Sequence, residues 1–380
     1  MRFFEDIVVQ ANKKLQSVCG DYLITERSNT GTISVLCDGI GSGIYANVAA
    51  ITCASRISGM VQGGMSIRAA AETVAASMHR ARTEDIPFSA FTISDILPNG
   101  KFVVYTYEAP NPILMEDYHA TVLAPRFYTA GFEVIGETTG ALNAGDSLMI
   151  FSDGVSQAGL GHGHGMGIGS DGVRDFINNN HRSADNIYKL PNRILELCKK
   201  VSAGNYEDDT TLAMLYCREA KELTLTSGPP YKTSLDARFA ADFINGGGFK
   251  VICGSTTTDV ISRELGLEVT MLSKGNSFGQ PPEYWMGGAD LVAEGAITLN
   301  QVCNIIDEPP DRLTGNSAAE RLCLMLRETD VVHLMVGTAE NDAHEDLIFK
   351  QIGISVRRAT LQRLAAKLKS LGKLVTEKYY

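Results

Sequence analysis

Thr32-Ile-Ser-Val-Leu-Cys-Asp38-Gly-Ile-Gly-Ser-Gly43 is an apolar run that ends on an aspartate followed by glycines. Its β-branched composition predicts a buried strand over Thr32–Cys37, with Asp38 at the strand's end. The same ending recurs. Leu148–Phe151 runs into Ser152-Asp153-Gly154, Tyr206-Glu-Asp208-Asp209-Thr-Thr211 opens a third apolar strand near Thr211–Cys217, and Gly20-Asp21 precedes a short strand. One Asp-Gly after a strand is usually a turn. Two of them, with Asp208-Asp209 before a third strand, ask for more, because a buried carboxylate is costly unless paired or bound to a cation. Carboxylates converging from several strand ends repel one another and demand divalent cations. Oxygen-only ligands point to Mg²⁺ or Mn²⁺ and away from zinc. Gly39 and Gly154 are expected to let the chain turn sharply, so that a backbone carbonyl or water reaches the metals.

Around these strands the pattern is α+β. Two small-residue helices are predicted at Ile44–Ser58 and Ser66–Arg82. A hairpin follows, Phe88–Ile96 and Lys101–Tyr107 about Pro98-Asn99-Gly100. Further helices are expected near Asp171–Asn178 and Ser183–Ser202. Hairpins with paired helices favour α+β over a doubly wound sheet. Thr224–Lys232, with its Gly-Pro-Pro, reads as a linker, giving domains 1–222 and 223–380. The second reads as a small α/β domain: a helix at Ser234–Ile244, a strand at Lys250–Cys253 and a helix to Leu265. Helices near Leu299–Ile306, Ser317–Arg327 and Glu345–Ile352 then surround a strand at Val331–Val336. Arg358–Lys378 is basic and amphipathic and predicts a surface helix.

A chain of 380 residues suits two domains, and 44% hydrophobic against 21% charged residues provides material for a core. Its apolar runs are too short to span a membrane. The acidic start, Met1-Arg-Phe-Phe-Glu-Asp6, has no apolar signal core. Eight cysteines stand singly without metal-site spacing, the pattern of reduced core thiols. A cytoplasmic protein is expected. A net charge of −10 argues against nucleic acid as a partner.

Gly41-Ser-Gly-Ile-Tyr-Ala46 matches the dinucleotide fingerprint G-x-G-x-x-A, which makes an oxidoreductase an alternative. That fingerprint needs an acidic residue about 20 positions later, and none occurs between Gly39 and Ala71. His162 and His164, in Gly161-His-Gly-His-Gly-Met-Gly-Ile-Gly169, could face a metal or phosphate, but an exposed glycine-rich loop is the simpler reading. His79 reads as packed or surface, and Arg82 as a surface residue with access to phosphate as its alternative. Gly254-Ser-Thr-Thr-Thr258 could cradle an anion; it reads more simply as a helix start capped by Ser or Thr.

The order Gly20-Asp21, Asp38-Gly-Ile-Gly-Ser-Gly43, Gly145-Asp146…Phe151-Ser-Asp153-Gly154 and Asp208-Asp209-Thr-Thr211 resembles the SpoIIE/RsbU/RsbX branch of PPM (PP2C-type) protein serine/threonine phosphatases. Arg82-Thr-Glu-Asp85…Phe91-Thr-Ile-Ser-Asp95 through Tyr107-Glu-Ala-Pro-Asn-Pro112 resembles it too. The resemblance covers about residues 1–218. It implies an α-β-β-α sandwich of two antiparallel sheets with a dimetal cleft at one end. It also implies hydrolysis of phosphoserine or phosphothreonine by a metal-activated water, with two Mn²⁺ or Mg²⁺ per site.

Carried over by position, the resemblance makes Asp38 the bridge between the metals, with the Gly39 carbonyl on one of them. It places Asp153 and Asp208 on the other metal, with Asp209 the alternative to Asp208. Asp21 would hold metal-bound water or a third metal. The larger enzymes' phosphate-binding arginine has no counterpart before Asp21, and Ile40 stands where they carry a histidine, so the phosphate clamp and leaving-group acid are unassigned. The implied partner is a phosphorylated protein, an anti-sigma-factor antagonist or one associated with a redox enzyme. Gly287–Gly295 with Ile297-Thr298 resembles the C-terminal part of other stand-alone SpoIIE-like proteins, some of them linked to redox-enzyme operons. A regulatory or docking role is expected for this domain. A homodimer stays open, as does a pseudophosphatase that keeps the fold as a partner platform.

Overall fold

The computed structural model describes residues 1–14, 16–84, 86–182, 184–275, 281–339 and 357–380. They fall into two units, Met1–Glu26 with Thr30–Glu219, and Ala220–Tyr380 with Arg27–Asn29. The first unit runs β1 (Arg2–Ala11), β2 (Asp21–Ser28), β3 (Gly31–Gly39), α1 (Gly43–Gln62), α2 (Ile67–Thr83), β4 (Ser89–Ile96) and β5 (Lys101–Tyr107). It continues through β6 (Ile113–Glu116), β7 (His119–Val122), β8 (Arg126–Ala130), β9 (Glu133–Ala141), β10 (Ser147–Phe151), α3 (Asp153–Ser156), α4 (Gly169–Asn180), α5 (Leu190–Val201) and β11 (Thr210–Glu219). Two sheets form, β1-β11-β10-β6-β7 and β2-β3-β4-β5-β9-β8.

Side-chain alternation builds the layers. In β10, Met149 and Phe151 pack with α4 and α5 residues Val173, Ile177, Leu190 and Ile194. The alternate residues of the strand, Leu148 and Ile150, face the opposite sheet. In β3, Val35 and Cys37 meet Cys53, Ile57 and Val74 of α1 and α2, while Leu36 meets Ile150 and Ala213. With both faces buried, these strands read as continuous apolar runs. Each fully buried large side chain contributes about 1.5–3 kcal/mol. The result is the sandwich expected from the resemblance, helices outside both sheets. The dinucleotide alternative fails on context: β3 pairs antiparallel with β4, and α1 leads into α2, with no second parallel strand.

The second unit comprises β12 (Glu222–Ser227), α6 (Asp236–Ile244), β13 (Phe249–Cys253), α7 (Ser255–Leu265), β14 (Val269–Ser273), β15 (Glu283–Met286) and β16 (Leu291–Ala293). There follow α8 (Ala296–Ile305), α9 (Ala318–Glu328), β17 (Val331–Val336), α10 (Arg357–Ser370) and β18 (Leu374–Tyr379). Its sheet runs β14-β15-β16-β13-β12-β17-β18, parallel from β16 through β18. Phe239, Phe243 and Ile261 of α6 and α7 cover one face; Leu299, Leu322, Leu326 and Leu364 of α8, α9 and α10 cover the other.

Three expectations change here. Thr224–Ser227 is not linker but the second half of β12, the strand at which the parallel sheet starts in both directions; Leu223 and Leu225 are buried in its core. Alternating Leu and Thr is a strand pattern, and only the following Gly-Pro-Pro is loop. Arg358–Lys378 is not one surface helix: α10 buries Leu361, Leu364 and Leu368, Gly372 turns with φ 78°, and β18 joins the sheet. The start of α7 has Gly254 as its N-cap with no side-chain cap, whereas Glu294 accepts from the N–H groups of Ala296 (3.1 Å) and Ile297 (2.9 Å) at the start of α8. The helix expected near Glu345–Ile352 lies outside the described residues. Among the described residues, no helix is long and apolar enough to cross a membrane.

Candidate active site

Strand ends of both sheets meet at one end of the sandwich. Beneath them, Leu36, Ile150 and Ala213 pack between the sheets. Above that floor β3 delivers Asp38, β10 runs out at Phe151 to deliver Ser152 and Asp153, and Asp208 and Asp209 lie just before β11. Asp38 and Asp153 line one narrow crevice, with Phe91, Glu108 and Pro110 among its walls. Asp21, the first residue of β2, is buried, and its Oδ2 accepts from the Ser152 hydroxyl at 2.7 Å. That hydroxyl in turn accepts from the Thr211 N–H at 2.9 Å, tying three of the four acidic segments together.

The carboxylates disturb one another as burial and like charge require. Burial, then the charges of Asp21 and Asp153, push Asp38 up to about 10. Burial also raises Asp153, although its interaction with the Asp38 carboxyl pulls it back. Asp21 is pushed up to about 7, again mainly by burial, with the Ser152 bond opposing. Asp21 Oδ1 is buried without a hydrogen-bond partner among the described residues.

Asp208 and Asp209 have separate tasks. Both oxygens of the buried Asp209 accept backbone N–H groups, Oδ1 from Lys13 and Oδ2 from Gly20, each at 2.8 Å. Asp208 is half-exposed, bonds Lys13 Nζ at 3.2 Å, and its charge reaches both Asp38 and Asp153. Among the described residues, no three His, Cys, Asp or Glu side chains stand arranged around one point as a metal cage. The donor set is nonetheless all oxygen, its carboxyls are held to weaker acidity as in anions crowded without a cation, and Asp21 Oδ1 is an orphaned acceptor. These residues fit a hard divalent cation.

Gly39 and Gly154 do not turn the chain as expected, for neither has a left-handed φ. They permit close approach. A Cβ on Gly39 would lie 1.9 Å from the Ala46 carbonyl oxygen, and one on Gly154 would lie 2.2 Å from that of Asp209. The turning falls to Gly41 (φ 123°) and Gly43 (φ 64°).

Beside the crevice lies a cavity of ≈ 220 Å³ whose walls include Leu160, His162, Cys198, Tyr206, Glu207 and Asp208. His162 reaches it from a chain of turns between α3 and α4, its Nε2 4.0 Å from Glu207 Oε1. His164 is not among the cavity's walls; it packs toward Gly159. His79 pairs with Glu133 and stacks on Phe132, 5.5 Å between ring centroids. Arg82 pairs with Glu108 and donates to the Tyr107 hydroxyl at 3.2 Å, which puts its guanidinium beside a residue of the acidic crevice. Glu108 holds a left-handed φ of 51°.

Lys13, Gln10 and Gln157 escaped sequence reasoning. Gln10 donates to the Thr211 hydroxyl (2.9 Å) and Gln157 to Asp153 Oδ2 (2.7 Å). No motif flags them; only the pairing of β1 with β11 brings Lys13 to Asp208, 195 positions away.

The family model of stage II sporulation protein E (SpoIIE) matches residues 28–218. The PP2C phosphatase domain and regulatory fragment of SpoIIE from Bacillus subtilis superposes with a TM-score of 0.50 at 17% identity, over 57% of this chain and 64% of that one. The RsbU and RsbW domains of a Mycobacterium tuberculosis protein give 0.49 at 19% identity, over 57% and 61%. This chain thus spans less than two thirds of the length of either. No curated protein matches the sequence. The fold of the first unit is the PP2C-type sandwich.

Proposed function

We propose that this chain, which belongs to the SpoIIE family, is a metal-dependent phosphatase that hydrolyses phosphoserine or phosphothreonine in another protein. One observation carries the reading: Asp38 and Asp153 share a crevice, with buried Asp21 nearby offering an unsatisfied oxygen. Such a cluster is poised for cations, not for apolar packing.

Asp38, Asp153, Asp208 and the Gly39 carbonyl would hold Mn²⁺ or Mg²⁺, with Asp21 holding water or a further ion. Asp208 fits the ligand role better than Asp209, whose two oxygens are taken by backbone donors. Bound there, the metals would activate a water and offset the charge that develops on phosphorus. The chain's own residues do the rest. Ser152 orients Asp21, and Asp209 holds the Lys13 loop in place. Lys13 brings an ammonium group to the Asp208 carboxylate, where it can bind a phosphate oxygen once a metal takes over Asp208. The partner is a phosphoprotein, with a phosphorylated anti-sigma-factor antagonist or a redox-enzyme-associated protein as candidates. The second unit, which carries no comparable acidic cluster in its described residues, is assigned docking or regulation.

The test is release of phosphate from p-nitrophenyl phosphate and a phosphothreonine peptide, with Mn²⁺, Mg²⁺ or EDTA, for wild type and Asp38→Ala. Metal-dependent release that vanishes in Asp38→Ala supports the reading. No release under any metal by a folded protein would move the function to partner binding alone.

A further inference from the structure

We propose that His162 is the acid that protonates the departing serine or threonine oxygen, an inference that rests on the phosphatase reading above. Hydrolysis breaks the bond between phosphorus and the side-chain oxygen, and an alkoxide is too basic to leave readily without a proton. Some group near the phosphorus must supply it.

The cavity beside the acidic crevice narrows the choice. Gly154, Asp208 and Thr210, which belong to or adjoin the acidic segments, line it together with His162 and Leu160. Its titratable side chains are His162, Cys198, Tyr206, Glu207 and Asp208. Cys198, on α5, is buried in the core, and Tyr206 packs against that core. Glu207 is exposed to water, and Asp208 is assigned to the metals in the reading above. Of these side-chain types, imidazole is the one suited to giving up a proton and regaining it from water.

Position agrees with chemistry. Gly161 (φ 76°) and Gly163 (φ 98°) flank His162, so the turn that presents it is built from residues that take left-handed conformations without strain. The side chain is 40% exposed, within reach of a bound peptide. The Glu207 carboxylate lies 4.0 Å from Nε2, and Asp208, itself paired with Lys13 Nζ at 3.2 Å, lines the same cavity. Among the described residues, no lysine or arginine lines the cavity itself.

The step balances. A water oxygen forms the new bond to phosphorus and gives a proton to solvent. The bond to the serine or threonine oxygen breaks, its electron pair stays on that oxygen, and His162 Nε2 donates the proton that neutralises it. The imidazole then regains a proton from solvent.

The experiment compares the full-length wild type with His162→Gln on two substrates, and reads Mn²⁺ affinity by calorimetry. p-Nitrophenolate leaves without a proton, whereas threonine does not. Expected is a loss of about 100-fold or more on the phosphothreonine peptide, a nearly unchanged rate on p-nitrophenyl phosphate, and unchanged Mn²⁺ affinity. His162→Gly should regain peptide activity with imidazole in the buffer. Equal losses on both substrates, no loss on the peptide, or weakened Mn²⁺ binding would each overturn the proposal and leave the phosphatase reading standing. A wild type inactive on both substrates with metal would overturn both.

Discussion

Gly20 donates its backbone N–H to Asp209 Oδ2 at 2.8 Å, bridging 189 positions of chain. Asp209 Oδ1 takes the N–H of Lys13 at the same distance. One buried carboxylate therefore fastens the segment that carries Lys13 and Asp21 to the segment that carries Asp208.

Replacing the two neighbouring aspartates should separate structure from chemistry. Asp209→Ala leaves two backbone donors without their acceptor and should cost about 1–3 kcal/mol per unsatisfied group, read by urea unfolding. Asp208→Ala loses one half-exposed ion pair, worth about 0–1 kcal/mol, and should instead weaken Mn²⁺ binding in calorimetry. The reverse pattern would make Asp209 the ligand.

The metal-free protein should lose stability as pH rises. Asp21 and Asp38 titrate from 3.8 in the unfolded chain to about 7 and about 10 in the folded one. Between those values the folded state binds more protons, so stability is greatest at the acid end and falls as pH rises through the folded values. Thermal melts in EDTA at pH 5 and pH 8 should show the decline, and Asp38→Asn should flatten it. Saturating Mn²⁺ should stabilise the protein most at pH 8.

Gly39→Ala tests close approach. Its Cβ would fall 1.9 Å from the Ala46 carbonyl, so β3 and α1 must separate. A loss of about 1–3 kcal/mol is expected from such overpacking. Gly41→Ala meets no neighbouring atom and is strained only by its φ of 123°. Melting temperatures of the two variants, with wild type, check the difference.

Lys13→Met should weaken phosphate recognition without unfolding the protein. A lost charge-assisted bond of about 1.5–3 kcal/mol corresponds to roughly 10-fold or more in affinity. Inhibition by inorganic phosphate measures it directly. An unchanged inhibition constant would leave Lys13 as a loop residue paired to Asp208 and nothing more.

Much of this was legible in the sequence because it is local. Apolar runs specify strands whichever partner they find, and an aspartate at the end of such a run is placed by the strand itself; Asp38 and Asp153 were readable for that reason. Alternating Leu and Thr in β12 carried the strand pattern too, but the adjacent Gly-Pro-Pro outweighed it. The division of labour between Asp208 and Asp209, the arrival of Lys13, and the cavity that joins His162 to the acidic site depend on contacts between distant segments. So does the role of Gly39, which looks like a turn in sequence and is a steric allowance in space. The sequence by itself determined the α+β pattern and its acidic strand ends, through periodicity and composition, and the order of its motifs carried the resemblance that implied the sandwich. Tertiary structure alone decided which oxygens stay free for a cation, because that depends on which backbone donors the fold delivers to each carboxylate.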